Sequence, residues 1–126
     1  MFMSFVAVGT GAACGAWMRW GLQAWLNSRV PHFPLGTLAA NLIGGYLVGL
    51  AVAYFAARHD LPPEWRLFVI TGFLGGLTTF STFSSEVTQL LLRGDHFTGI
   101  ALAATHLGGS LLMTAAGLAT WRALAA

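Results

Sequence analysis

The sequence predicts an all-α integral membrane protein with four transmembrane helices, and three observations carry that prediction. Of its 126 residues, 56% are hydrophobic and only 8% are charged, whereas a soluble domain carries about 25% charged residues. Mean hydropathy is +0.71. Four apolar segments follow one another, each long enough to supply the ~20 helical residues that cross ~30 Å of hydrocarbon. The polar stretches between them are short, and no linker or low-complexity tract intervenes, so residues 1–126 read as one domain.

The first span is expected from about Phe2 to Leu26. No basic region precedes it and it exceeds a signal-peptide core in length, so it reads as a retained span. Pro31 and Pro34 punctuate the turn that follows. The second span covers about residues 35–57, and the loop Arg58–Glu64 with Pro62 and Pro63 ends it. The third runs from about Trp65 to Arg93, and Gly94, Asp95 and His96 connect it to a fourth at about residues 97–123. Trp20, Trp25, Trp65 and Trp121 fall near span ends, where interfacial aromatic residues collect.

Composition also excludes classes. All six basic residues are scattered arginines, so the pI near 9.3 does not signal a nucleic-acid face. Cys14 is the only cysteine and reads as a small apolar residue in a helix. Neither a nucleophile–base pair nor a metal-ligand cluster is visible, which argues against an enzyme.

Arginine placement bears on orientation. Arg58, Arg66 and Arg122 fall on one side of the membrane, and Arg29 and Arg93 on the other. The positive-inside rule needs a clear excess to orient a chain. Two readings follow: the chain inserts both ways up and opposite copies pair as an antiparallel dimer, or a weak bias orients every copy. The repeats Gly11-x-x-x-Gly15, Gly45-x-x-x-Gly49 and Gly72-x-x-x-Gly76 invite close helix contact and favour oligomerisation.

The third segment is the most informative. Gly72, Gly75 and Gly76 precede six hydroxyl residues within eight positions, Thr78, Thr79, Ser81, Thr82, Ser84 and Ser85, which surround Phe80 and Phe83. Hydrocarbon tolerates such polarity only where it faces protein or a water- or ion-filled path. A helix broken at Gly75–Thr79 would free carbonyls for a partner chain or a small cation. Phe80 and Phe83, three apart, share a face. Their positive ring edges, with hydroxyl donors, favour a small anion without a fixed countercharge that would trap it. Asn41 in the second segment would offer an amide N–H to such an ion or make an interhelical bond. In the fourth segment His106, Ser110 and Thr114 recur every four residues and form a second polar stripe.

Three blocks resemble the Fluc (CrcB-type) fluoride-channel family. They are Gly11-x-x-x-Gly15-x-x-x-Arg19, Gly36-Thr-Leu-x-x-Asn41-x-x-Gly44, and Gly72-x-x-Gly75-Gly76-x-Thr78-Thr79-Phe80-Ser81-Thr82-Phe83-Ser84-x-Glu86. The resemblance spans essentially the whole chain. It implies a passive fluoride-selective channel in the bacterial cytoplasmic (inner) membrane, built as an antiparallel dual-topology homodimer with two pores and a broken third helix. It also implies a central structural sodium ion (Na+) on the backbone carbonyls of Gly75 and Thr78 from both subunits. Phe80, Phe83 and Asn41 would line the pore, Ser110 and Thr114 would continue it, and Thr79, Ser81 and Ser84 lie in the signature. Arg19 matches an arginine near the aqueous vestibule. His106 stands where the family often has a tyrosine; histidine titrates near pH 6.5, so its protonation is expected to alter conduction in mild acid. A passive leak would let a membrane potential worth ~2.3 kcal/mol per charge per 100 mV expel fluoride.

The competing reading is a small proton-coupled multidrug exporter. Such proteins need a membrane-embedded carboxylate in the first span, which here has none; only Glu86 is a candidate. Glu86 is more simply an acceptor for nearby hydroxyls or a partner for an arginine. A scaffold subunit would explain the glycines and leave the hydroxyl run unexplained.

Overall fold

The computed structural model describes all residues, Met1–Ala126, and is entirely helical. Helix α1 spans Phe2–Leu26 and α2 spans Leu35–Ala57. A bent third rod follows, from Pro63 to Leu92. It comprises α3 (Pro63–Arg66), a π-helical stretch (Leu67–Leu74), α4 (Gly75–Leu77) and α5 (Ser81–Leu92). Helix α6 spans His96–Ala125. Three of these rods, Leu35–Ala57, Pro63–Leu92 and His96–Ala125, are long and apolar enough to cross a membrane. At 25 residues α1 has the length for a crossing, but Arg19, Gln23 and its many small residues dilute its apolar character.

Local chemistry sets the ends. Asn27, just past α1, accepts the Gly36 N–H (2.8 Å) and Thr37 N–H (3.2 Å) through Oδ1, which satisfies two orphan donors at the start of α2. Past α5, Gly94 adopts φ 84°. Its N–H bonds the Leu91 carbonyl while the Asp95 N–H reaches back to Leu90, both at 3.0 Å. This paired closure needs a left-handed residue, which glycine adopts without strain. Asp95 then caps α6 by accepting the Thr98 N–H (3.3 Å). In the α2–α3 loop Arg58 pairs with Asp60 at 2.8 Å, and the guanidinium holds the Asp60 carboxyl down at about 2. Both groups are solvent-exposed, and screening leaves such a pair little stabilising effect.

Glycines set how closely the rods approach. A Cβ on Gly15 would strike the Phe73 carbonyl and lie 2.7 Å from the Leu77 nitrogen; one on Gly76 would strike the Ala12 carbonyl and lie 3.0 Å from the Ala16 nitrogen. So α1 lies backbone to backbone on the third rod. Helices α2 and α6 interlock in the same way, with Gly49 against Thr114 and Leu118, and Gly117 against Tyr46 and Leu50. Lipid tails give apolar side chains no reason to collapse together, so close packing and hydrogen bonds must hold membrane helices. The small core is Ala40, Ala51, Leu74 and Leu77, flanked by Leu47, Ile70 and Phe73. Only 18 of 126 residues are buried, and large apolar side chains such as Phe5, Trp17, Leu107 and Leu111 point outward.

The third rod changes character twice. Its π-helical stretch is eight residues long, where π geometry mostly occurs as single-turn bulges. Ordinary helical backbone returns at Gly75 and Gly76, then Thr78 turns extended (φ −86°, ψ 153°) and α5 begins at Ser81. The departure lies at Thr78–Phe80 because Gly76 is pinned against α1 while Thr79 is held from α2.

Gly15→Ala should cost roughly 1–3 kcal/mol through overpacking against fixed backbone. Gly9→Ala, with nothing within 4 Å of the new Cβ, should not destabilise. Thermal melts of the two purified variants in one detergent check this, and equal melting temperatures would contradict it.

Candidate functional site

At the bend Thr79 has no backbone partner within the rod, and α2 takes over both of its backbone groups. Asn41 on α2 accepts the Thr79 N–H through Oδ1 (2.8 Å) and donates from Nδ2 to the Thr79 carbonyl (2.9 Å). One carboxamide thus replaces both helical partners of one residue. Its remaining amide hydrogen goes to His106 Nδ1 on α6, at 3.0 Å. Both amide hydrogens are therefore engaged within the chain, the interhelical bonding that is one of the two readings of this residue. A buried amide or carbonyl left without a partner costs ~1–3 kcal/mol, so this clamp decides where the bend sits.

Hydroxyls complete the bend. Thr79 Oγ1 accepts the Thr82 N–H (3.1 Å) and donates to Thr82 Oγ1 (3.2 Å), capping the first turn of α5. Thr78 Oγ1 donates to the Leu74 carbonyl at 2.8 Å, and its methyl fills the gap that Gly44 leaves open. On the α1 side, Arg19 Nε donates to the Gly76 carbonyl at 3.0 Å. A cation at that end complements the negative pole of the preceding helical segment. No hydrogen bond within the chain ends on the carbonyls of Gly75 or Thr78. No cluster of three or more His, Cys, Asp or Glu side chains stands close enough to hold a metal.

A cavity of about 420 Å³ opens beside the bend. Asn41, Gly75, Thr78, Thr79, Phe80, Phe83, His106 and Ser110 line it, together with apolar residues such as Val48 and Leu74. The Phe80 and Phe83 rings meet edge to face, centroids 5.5 Å apart at 74°. Phe83 also stacks on the His106 imidazole, at 4.4 Å and 29°. Phe80 is 79% exposed, whereas His106 is 3% exposed. Ser81 and Ser84 lie exposed on α5, outside the cavity wall. Thr114 also stands off the wall, with its hydroxyl bonded back to the Ser110 carbonyl at 3.0 Å.

A second polar chain was legible only at its end, where Glu86 accepts a hydroxyl as expected; its donor, Thr37, was not. Thr37, fully buried, donates to Glu86 Oε1 at 2.6 Å and accepts from Gln23 Nε2 at 3.2 Å. The short O–H···O distance is that of a charge-assisted bond. Glu86 Oε2 and His106 Nε2 are buried and have no partner within the chain. Thr37 sits one turn before Asn41, a spacing of four that could have flagged it as sharing the polar face.

The sequence profile of the family described as "CrcB-like protein, Camphor Resistance (CrcB)" matches residues 6–118. A Cupriavidus taiwanensis protein named "Fluoride-specific ion channel FluC" is 62% identical over 123 residues, covering 98% of both chains. Proteins of the same name are 64% identical over 124 residues in Cupriavidus necator, again covering 98% of both, and 61% identical over 120 residues in Ralstonia pickettii, covering 95% of both. On this evidence the chain belongs to the CrcB-like protein family.

Proposed function

We propose that the chain is the subunit of a passive, fluoride-selective channel of the bacterial inner membrane. The observation that carries this reading is the cavity at the bend, where the edge-to-face Phe80–Phe83 pair, His106 and Ser110 gather around one apolar opening with no charged residue on its wall. Ring edges and hydroxyls attract a small anion without the countercharge that would hold it. The name shared by the similar Cupriavidus proteins, "Fluoride-specific ion channel FluC", supports fluoride as that anion.

In this reading α1, α2, the third rod and α6 form four spans, with the third helix broken at Thr78–Phe80. Exposed Gly75, Phe80, Ser81 and Ser84 would leave polar backbone and hydroxyls facing lipid in a single copy, which a bilayer does not tolerate. A second copy in antiparallel orientation would cover them and give two pores, with Asn41, Phe80, Phe83, Thr79, His106, Ser110 and Thr114 along each and Arg19 at the vestibule side. The unbonded carbonyls of Gly75 and Thr78 fit a sodium ion. Two copies would supply four oxygens, and sodium would serve there as structural glue between subunits.

One observation favours a second reading. Glu86 Oε2 is a buried carboxylate oxygen without a partner, the feature a proton-coupled exporter needs. Fluoride efflux from proteoliposomes loaded with potassium fluoride, started with valinomycin and followed with a fluoride electrode, tests the channel. Release without chloride release is expected, falling at least tenfold in Phe80→Ile, a loss of ~1.4 kcal/mol of passage free energy or more. No release from folded protein would overturn the channel. For Glu86→Gln, abolished proton-driven cation uptake would support the exporter; absence of such uptake in the native protein would exclude it.

A further inference from the structure

The Asn41 carboxamide can be oriented in only one way. Its oxygen meets the Thr79 N–H and its nitrogen meets the Thr79 carbonyl, so a flip would set oxygen against oxygen. The second amide hydrogen then has to be donated to His106 Nδ1, because an amide nitrogen cannot accept it. Nδ1 is therefore the acceptor, and in the neutral ring the proton is on Nε2. That nitrogen is buried and has no partner in the chain, and the ring is fixed further by stacking on Phe83. No carboxylate bonds to it: Glu86 Oε1 accepts from Thr37, and Glu86 Oε2, itself without a partner, makes no bond to the ring.

From this geometry we infer that Asn41 is a positioning residue that fixes His106 as its Nε2–H tautomer, leaving that N–H as the donor presented to the permeating anion. The last clause rests on the fluoride-channel reading; the tautomer assignment does not. Asn41 then acts through two other groups, the Thr79 backbone and the His106 ring, and spends no hydrogen bond on the ion. An unpaired buried donor is costly, and native proteins rarely keep one without use.

Nitrogen-15 NMR of histidine-labelled protein tests the assignment. His32, His59 and His96 are exposed and are first replaced by Gln, so that His106 alone reports. At pH 7.5 the spectrum should show one bare nitrogen, Nδ1, and one protonated nitrogen, Nε2. A protonated Nδ1, or a mixture of tautomers, in this protein with Asn41 intact would overturn the inference, whatever Asn41 variants show. In Asn41→Asp the side chain has no N–H to give, so Nδ1 should gain a proton and fluoride efflux should fall. An Nδ1 that stays bare in Asn41→Asp would remove Asn41 from the role. Efflux is measured on the native chain and on the same triple-Gln sample. A native chain that fails to conduct fluoride sinks the channel reading and leaves the tautomer result standing; conduction by the triple-Gln sample with the wrong tautomer sinks only the inference.

Discussion

A peptide group inside a membrane must find its hydrogen bonds within protein, and at Thr79 the third rod supplies neither backbone partner. The Asn41 clamp on Thr79 is the interaction on which the site depends. It takes the N–H and the carbonyl of one residue together, so the chain can leave the helix there without stranding either group. Much of the surrounding structure holds that clamp in place. Gly44, one turn beyond Asn41 on α2, leaves room for the Thr78 methyl. On the other side Gly15 and Gly76 bring α1 onto the rod, and Arg19, one turn past Gly15, reaches the Gly76 carbonyl. Helix α6 contributes His106, which takes the last amide hydrogen and carries the stacked Phe83 ring.

This arrangement gives the proposed anion path its character. Its donors are weak and neutral, namely ring edges, hydroxyls and one imidazole N–H, while the nearest full charges are engaged elsewhere. Arg19 serves a carbonyl, and Glu86 holds the Thr37 hydroxyl. Weak sites suit conduction, which requires an ion to leave as readily as it enters. The same bend leaves the carbonyls of Gly75 and Thr78 without donors. In the proposed reading a second, inverted copy and a sodium ion complete what one chain leaves open.

The positions of the helices were legible because length and apolar composition set them, and the glycine and hydroxyl run around Phe80 and Phe83 marked the segment where the third rod bends. Pairings between helices were less legible. A polar residue in an apolar segment announces that it has a partner without naming it: Asn41 suggested an ion or another helix and holds Thr79 and His106, and Arg19 meets the Gly76 carbonyl. Thr37 looked ordinary at a helix start, yet it is fully buried and holds Glu86. The π-helical stretch over Leu67–Leu74 carries no signature either, since an apolar run reads alike in both helical forms. Such features depend on how each rod is rotated about its axis, which tertiary packing decides.

The claim that bears the most weight is that the exposed polar bend is covered by an inverted second copy. Labelling the C-terminus from one side of the membrane tests it directly. With Cys14→Ser as background, Ala126→Cys places one thiol past the end of α6. A membrane-impermeant maleimide applied to intact spheroplasts should label about half of the copies, and permeabilisation should bring the rest into reach, as a near-balanced arginine count allows. Labelling of all copies, or of none, before permeabilisation would mean a single orientation and would contradict the inverted pair.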